Sequence, residues 1–481
     1  MSSLAVVSIP NEILDPQAKK MLHSRKRLTR KGSGLWGWLL KNLCRWWGFL
    51  LAAGALFVLL VEVGNLSKDA PKPLSVGLSI SNKKGLDRED SSSSIASSYI
   101  KKEKKNHLDD LSMPTRRVGG MTESCLKLLS QEEIKNLQFP PSANSFNVNI
   151  HYKSGTADIQ NQNSEGIRTT NSFTGNQTMS ERADSFEVHN NVEVHCGFFS
   201  QNSGFDIEDD DKSFMNTCEA VVSTCIFGGG DVLYQPIGMA NTSLTKVCYV
   251  AFLDNATFGT IEEAANYEHE AHKLGIWRIV VVHNLPFPDQ RRNGKIPKML
   301  GHRLFPKARY SIWVDSKYQF RRDPMAVLEA LLWREKSTLA ISEHGARKCV
   351  YKEGEAVVKK HKALPEEVAL QLDQYRGEGF AENAIYDGHK AYERQIINIV
   401  EALAEASVIV REHNPLTNLF MCLWFNEVVR FTARDQLSFP YVLCRFKLPH
   451  LKMFSVCTRR ALVNALGHKH KAKQLEQVEI S

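Results

Sequence analysis

No CxxC pair occurs among the ten cysteines of this 481-residue chain, which excludes the ligand spacing of a structural zinc ribbon. A Walker A loop is missing, and with it a P-loop phosphate site. There is no GxSxG nucleophile elbow. The segment YEHEAH, Tyr267 to His272, sets His269 and His272 three apart where a zinc-protease helix needs four, so it reads as a solvated amphipathic helix. No internal repeat is present. Aromatic residues make up only 9% of the chain and do not interleave with the basic ones, so a net charge of +8 does not describe a nucleic-acid module. The positive residues gather ahead of one apolar run and in the last twenty or so positions, and the acidic run from Glu208 to Asp211 reads as a hydrated loop.

That apolar run, Trp46 to Val61, carries no charge and follows Lys19, Lys20, Arg25, Lys26, Arg27, Arg30, Lys31, Lys41 and Arg45, while Glu62 and Asp69 lie beyond it. The charge bias predicts a start-transfer anchor with a cytosolic amino terminus. A short span favours the thinner bilayers of the endoplasmic reticulum or Golgi. The organisation that follows is a cytosolic basic tail at 1–45, a transmembrane signal anchor at 46–66, a low-complexity stem at 67–192, a lumenal α/β domain at 193–457 and a basic tail at 458–481. Within the stem, Cys125 to Leu129 with Ile134 and Leu137 suggest a short helix packed on the domain. Sequons at Asn176, Asn241 and Asn255 agree with a lumenal fate. An oxidising lumen permits disulfides, and one or two bridges are expected.

From Val194 onward, short β-branched runs alternate with helical patterns, the sign of βαβ units and a mainly parallel sheet. Strands are expected at Ala220 to Phe227, Val247 to Leu253, Trp277 to Val282, Tyr310 to Val314, Thr338 to Ser342 and Ser407 to Arg411. Helices are expected at Thr260 to Leu274, Pro297 to Leu304, Pro324 to Arg334, Pro365 to Tyr375 and Tyr392 to Ala404, with Asp323 capping the third. Ligands of such sheets bind outside the carboxyl ends of the strands.

The unusual residues stand at those ends. After the first strand come Gly228, Gly229, Gly230 and Asp231, a loop whose backbone can approach a phosphate or sugar, or simply a tight turn. In ARYSIWVDSKY, Ala308 to Tyr318, an apolar strand ends in Asp315 with Lys317 two residues on. The carboxylate is suited to a divalent cation bridging a diphosphate and the lysine to phosphate charge, or the aspartate caps a turn. Upstream, Arg291, Arg292, Lys295, Lys298, His302 and Arg303 form either an anion cleft or a solvated helix face. A second cluster begins at Arg411 in REHNPLTN and runs through a helix bearing Trp424 and Glu427 to RDQLSF at 434–439. It offers His413 as a metal ligand, Glu427 or Asp435 as a base, and Trp424 as a core or sugar-stacking residue.

The stretches VHCGFF at 194–199, CEAVVSTCIFGGGDVLYQP at 218–236, HRLFPKARYSIWVDSK at 302–317, REHNPLTNLFMCLWFNEV at 411–428 and RDQLSF at 434–439 resemble a plant family long catalogued as a domain of unknown function. Its members include mucilage-related proteins regarded as probable hexosyltransferases and a turgor-regulation-defect protein described as an alkaline ceramidase. The resemblance implies a Golgi type II protein with a lumenal domain like those of nucleotide-sugar transferases of the GT-A-like kind. Asp315 would then stand where such enzymes place the first acid of a metal-binding Asp-x-Asp, with manganese or magnesium as the cation. Here Lys317 replaces the second acid. On the transferase reading a nucleotide sugar and a glycan acceptor are the substrates. Asp315, Lys317, Lys298 and Arg303 would face the donor beside the glycine loop, His413 would complete the metal site, and Glu427 or Asp435 would act on the acceptor. The rival reading is ceramide hydrolysis, which needs an activated serine or a zinc-bound water. A non-catalytic pseudoenzyme is a third.

Overall fold

Six apolar runs become strands because hydrophobic layers cover both faces of the sheet they enter. The structure, a computed structural model, describes residues 125–141, 148–156, 171–262, 266–380 and 403–468. The basic leader and the anchor lie outside the described residues, as does all but the end of the helix expected at Tyr392 to Ala404. Among the described residues no helix is long and apolar enough to cross a membrane.

Numbered along the chain, the strands are β1 (Asn149–Tyr152), β2 (Asn191–Val194), β3 (Ala220–Ile226), β4 (Cys248–Asp254), β5 (Tyr267–Glu268), β6 (Lys273–Leu274), β7 (Trp277–Val282), β8 (Tyr310–Val314), β9 (Tyr318–Phe320), β10 (Leu339–Glu343), β11 (Ala404–Glu412), β12 (Leu451–Phe454) and β13 (Val463–Ala465). Nine of them form one sheet in the order β12-β10-β11-β8-β3-β4-β7-β6-β5, while β1 pairs with β2 and β9 with β13. The centre, β8-β3-β4-β7, is parallel. However, β11 runs against both of its neighbours and β5, β6 and β7 form an antiparallel meander, so the sheet is mixed rather than mainly parallel. A strand buried on both faces has the same apolar content in either direction. Only its connections set that direction, and they are not legible in the strand itself.

Alternate residues of each central strand enter opposite layers. Val221, Val250, Phe252 and Trp313 meet Leu419, Phe420, Trp424 and Leu437 on one face. Val222, Tyr249, Ala251 and Leu253 meet Met325, Val327, Leu331 and Leu462 on the other. The first layer is built on the helices Pro415–Arg430 and Asp435–Phe446, the second on Pro324–Leu328 and its π-helical continuation Glu329–Trp333. Asp323 caps that helix as expected, its Oδ1 accepting from the amides of Met325 at 2.9 Å and Ala326 at 3.2 Å.

The helix expected at Thr260 to Leu274 is replaced by the β5–β6 hairpin. The deciding residue is Gly275, which turns β6 into β7 with φ of +61° and sits so close to Gln235 that a Cβ would collide with its amide. Gln235 pins the turn, donating to the Leu274 carbonyl at 2.9 Å and accepting from the Ile276 amide at 3.1 Å.

Both edges read for the domain move outward. Residues assigned to the stem contribute Phe173, Arg182 and Phe186 to the interior, and β2 with β1 is part of the fold. A polar composition concealed these few deep anchors among many exposed neighbours. The short helix suggested near residue 134 forms at Gln131–Asn136, closed by a capping box between Ser130 and Glu133. At the other end, the residues read as a basic tail include the helix Val456–Leu462 and β13. Three disulfides, Cys125–Cys457, Cys196–Cys422 and Cys218–Cys248, exceed the one or two expected, and the first joins these two margins.

Candidate functional site

Strand order selects the location. From β3 the chain moves outward to β4 and β7, then returns to place β8 on the other side of β3. The loops after β3 and β8 therefore diverge, and the crevice between them is the switch point at which open α/β sheets bind ligands. Asp231 lies on the first loop and Asp315, Ser316 and Lys317 on the second. They are joined by the Ser316 hydroxyl, which donates to Asp231 Oδ2 at 2.6 Å.

All five residues of β8 are buried, and the chain then delivers the half-buried Asp315. Asp315 Oδ1 accepts from the Trp313 indole at 2.8 Å and lies 3.2 Å from Lys298 Nζ, while Oδ2 lies 3.3 Å from Lys317 Nζ. Lys295 and Lys298 stand three apart on the helix Lys295–Met299 and so share one face, with Ile296 and Met299 turned into the core. Both reach Asp435 Oδ2, at 2.7 Å and 2.8 Å. The result is a row of alternating charge, Lys317, Asp315, Lys298, Asp435, Lys295, with three ammonium groups for two carboxylates.

Burial alone would raise the carboxyls of Asp315 and Asp435, but the adjoining lysines outweigh it and hold both well below the usual carboxylate range. Burial likewise opposes the charge on Lys298, yet Asp315 and Asp435 together raise it above the ordinary lysine value. At Lys295 burial, with the repulsion of Lys298, outweighs the attraction of Asp435 and Asp315 and pushes it down to about 8. The crevice thus holds preplaced ammonium groups that cost no reorganisation when an anion arrives.

The other residues singled out from the sequence divide sharply. Gly228 and Gly229 have φ of +70° and +63°, but their amides donate to Asp254 Oδ2 at 2.8 Å and to the Thr257 hydroxyl at 2.9 Å. The glycine loop is therefore a turn latched to β4 that presents Asp231, and those two amides are not free for phosphate. Arg303 stacks its guanidinium 4.1 Å over the Tyr152 ring and donates to the Cys196 carbonyl at 3.5 Å, away from the lysine row. Trp424 is fully buried, with its indole donating to the Asp435 carbonyl at 3.1 Å and the Ser438 hydroxyl at 3.1 Å. It props the helix that carries Asp435 rather than offering a face to sugar. Glu427 is also interior, held by Arg182 through Nε at 2.6 Å and Nη2 at 3.1 Å and by the Tyr375 hydroxyl at 2.9 Å. It is a structural acid. Asp435, bound by two lysines and held anionic, is a charge balancer and a poor base.

His413 is separated from Asp315 by the length of a strand. Val408 faces Val314 while Glu412 faces Tyr310 and the His413 amide donates to the Arg309 carbonyl, so the His413 backbone is at the amino end of β8, roughly 20 Å along the strand from Asp315 at ~3.3 Å per residue. There its Nε2 contacts the Ser311 hydroxyl at 2.8 Å, and burial pushes the imidazole down to about 3. A divalent cation fits the lysine row poorly, since both oxygens of Asp315 already face ammonium groups and His413 cannot reach. Among the described residues, the one group of three such ligands within 4.8 Å of one another is Cys196, His302 and Cys422, whose sulfurs are joined to each other.

Three residues of the crevice, His468, Lys295 and Glu405, were not ranked as site residues from the sequence. The carbonyl of Lys317 accepts from the amides of Leu466 at 3.0 Å and Gly467 at 3.2 Å, and His468 Nδ1 then lies 3.0 Å from Asp231 Oδ2. Lys295 was one of six cations upstream of β8, with nothing to rank it above the rest. Glu405 precedes the apolar run of β11 and carries no motif.

The sequence model described as the TOD1/MUCI70, glycosyltransferase-like domain matches residues 156–468, which include every member of the lysine row. The chain belongs to this family. Within the family, the Arabidopsis thaliana probable hexosyltransferase MUCI70 is 39% identical over 311 residues, covering 63% of this chain and 52% of that protein. The chain thus spans about half the length of that relative. The alkaline ceramidase TOD1 of the same plant is 29% identical over 358 residues, covering 71% and 70%. Among solved structures, the bifunctional glycosyltransferase WbbM is 12% identical over 49% of this chain and 38% of its own. Mouse xyloside xylosyltransferase 1 is 10% identical over 49% and 84%. Both align with a TM-score of 0.27, so the architecture described above rests on this chain's own topology.

Proposed function

We propose that this protein is a glycosyltransferase, a hexosyltransferase that takes a nucleoside-diphosphate sugar as donor and a glycan as acceptor. The observation that carries the reading is the lysine row at the β3/β8 switch point. A diphosphate leaving group brings charge that Lys317 and Lys298 are placed to balance, and Lys295 adds a third ammonium behind them. Membership of a glycosyltransferase-like family and the name of the 39%-identical relative support it. In this role the lysines supply what a cation supplies elsewhere, so transfer needs no manganese or magnesium. We place the domain in the Golgi lumen behind the amino-terminal anchor. Three disulfides suit an oxidising compartment, and Asn176, Asn241 and Asn255 are all exposed.

Amide hydrolysis, the activity named for the second relative, has weaker support. The Ser311–His413 contact resembles a nucleophile and base, but Arg411 also donates to the Ser311 hydroxyl at 2.8 Å, and the serine is buried. The test is titration of the purified protein with uridine and guanosine diphosphate hexoses, with and without EDTA, alongside a ceramide hydrolysis assay. Saturable sugar-nucleotide binding that survives EDTA and weakens about tenfold in Lys317→Met, a loss of ~1.4 kcal/mol, supports the reading. Ceramide turnover without sugar-nucleotide binding overturns it.

A further inference from the structure

Sugar transfer from a diphosphate donor requires a group to take the proton of the incoming hydroxyl, and most acids of the crevice are already engaged. Asp315 faces Lys298 and Lys317, Asp435 faces Lys295 and Lys298, and Asp231 holds Ser316 and His468. Asp315 and Asp435, paired with lysines, resist protonation, and the Asp231 carboxylate is occupied by its two partners. The exception is Glu405, the second residue of β11. Among the described residues its side chain has no hydrogen bond or ion pair, and it is half-buried, open to a molecule entering from solvent.

Its placement follows from the sheet. Against β10, the register of β11 passes from Ile341 opposite Ile409 to Ser342 opposite Glu405, so residues 406–408 bulge with no partner on that side. On the other side β11 stays beside β8: Val408 faces Val314, and the Asp315 amide donates to the Ser407 carbonyl at 2.9 Å. The bulge turns the strand just where it passes Asp315, as bulges beside active sites re-aim side chains. Two residues before Ser407 on the same strand, Glu405 is thereby set beside the loop that carries Asp315 and Lys317, where its charge favours the protonated forms of Lys298 and Lys317.

We propose that Glu405 is the catalytic base that accepts the proton of the acceptor hydroxyl, an assignment that rests on the transferase reading above. The hydroxyl oxygen forms its bond to the anomeric carbon as its O–H bond breaks and the proton passes to the Glu405 carboxylate. The bond from the anomeric carbon to the diphosphate oxygen breaks at the same time, its electron pair leaving with the nucleoside diphosphate beside Lys298 and Lys317. Attack opposite the leaving group inverts the anomeric centre.

The experiment compares full-length wild type, Glu405→Gln and Glu405→Asp. Its readouts are the dissociation constant for the uridine or guanosine diphosphate hexose that the wild type binds, kcat across pH, and the anomeric configuration of the product by NMR. The expected result for Glu405→Gln is an unchanged melting temperature, donor affinity within about twofold, kcat lower by about 100-fold or more, and loss of the acid limb of the pH profile. Glu405→Asp restores part of kcat, and the wild-type product is inverted. A Gln variant that keeps kcat within tenfold, a parallel loss of donor affinity and kcat, or a product of retained configuration overturns the assignment while leaving the transferase reading intact. A wild type that handles no sugar nucleotide overturns both.

Discussion

Replacing Glu427 by glutamine will destabilise the protein without touching the chemistry of the crevice. The Arg182 and Glu427 side chains are 2% and 1% exposed and join the helix Met179–Asp184 to the last turn of Pro415–Arg430. The substitution removes the charge that accepts both Nε and Nη2, leaving the buried guanidinium with Glu378, 2.6 Å from Nη1, as its sole acid. Breaking one side of a buried pair costs about 3–5 kcal/mol. The retained Glu378, itself 21% exposed, favours the lower end. At ~2–4 °C per kcal/mol for a domain of this class, the melting temperature falls by roughly 6–20 °C. Calorimetry of the purified variant measures the fall, and donor titration well below the transition measures the site. A double variant, Arg182→Met with Glu427→Leu, regains most of the loss, because two apolar side chains replace two desolvated charges. If the single variant melts like wild type yet has lost turnover, Glu427 is chemical rather than structural and the argument from burial fails.

Lys295 links pH to donor binding and stability with opposite signs. Its folded value, pushed down to about 8, is below the ordinary lysine value of 10.5. Folding is therefore penalised while this lysine stays protonated below about 8, and the penalty fades as pH rises from there towards 10.5. Donor affinity measured over the same interval declines as the charge is lost, and Lys295→Met removes that limb. Cys457→Ser, which opens the bridge to Cys125, lowers stability by about 2–5 kcal/mol in chemical denaturation. It also weakens donor binding, because the released segment carries the contacts to Lys317 and Asp231. Trp424→Ala costs about 3–5 kcal/mol as a cavity, and donor affinity falls as the prop under Asp435 is lost, whereas a sugar platform would lose affinity with little change in melting temperature.

All six expected strands exist, several to within a residue or two, because an apolar run bounded by polar residues leaves little latitude in where a buried strand begins and ends. Asp315, Lys317 and Lys298 were legible for a related reason: charge immediately after such a run stands at the mouth of the sheet. What misled was proximity along the chain. Glu427, Trp424 and His413 share a stretch of motif-like sequence with Asp435, yet the helix periodicity turns the first two inward, and the antiparallel course of β11 carries His413 to the far edge. Conversely, Arg182 and His468 sit in polar sequence that local composition assigns to a linker and a tail. Their importance comes from partners 245 and 237 positions away, which no window of sequence contains.

The way β13 lies along β9 and ends against the crevice bears on how this protein can be handled. A tag or reporter fused directly after His468 begins beside Asp231. A fusion there competes with substrate for space, and a carboxyl-terminal deletion reaching past residue 468 dismantles one wall of the crevice before it reaches the hydrophobic layers. An inactive preparation of that design reports on the engineering rather than on the protein.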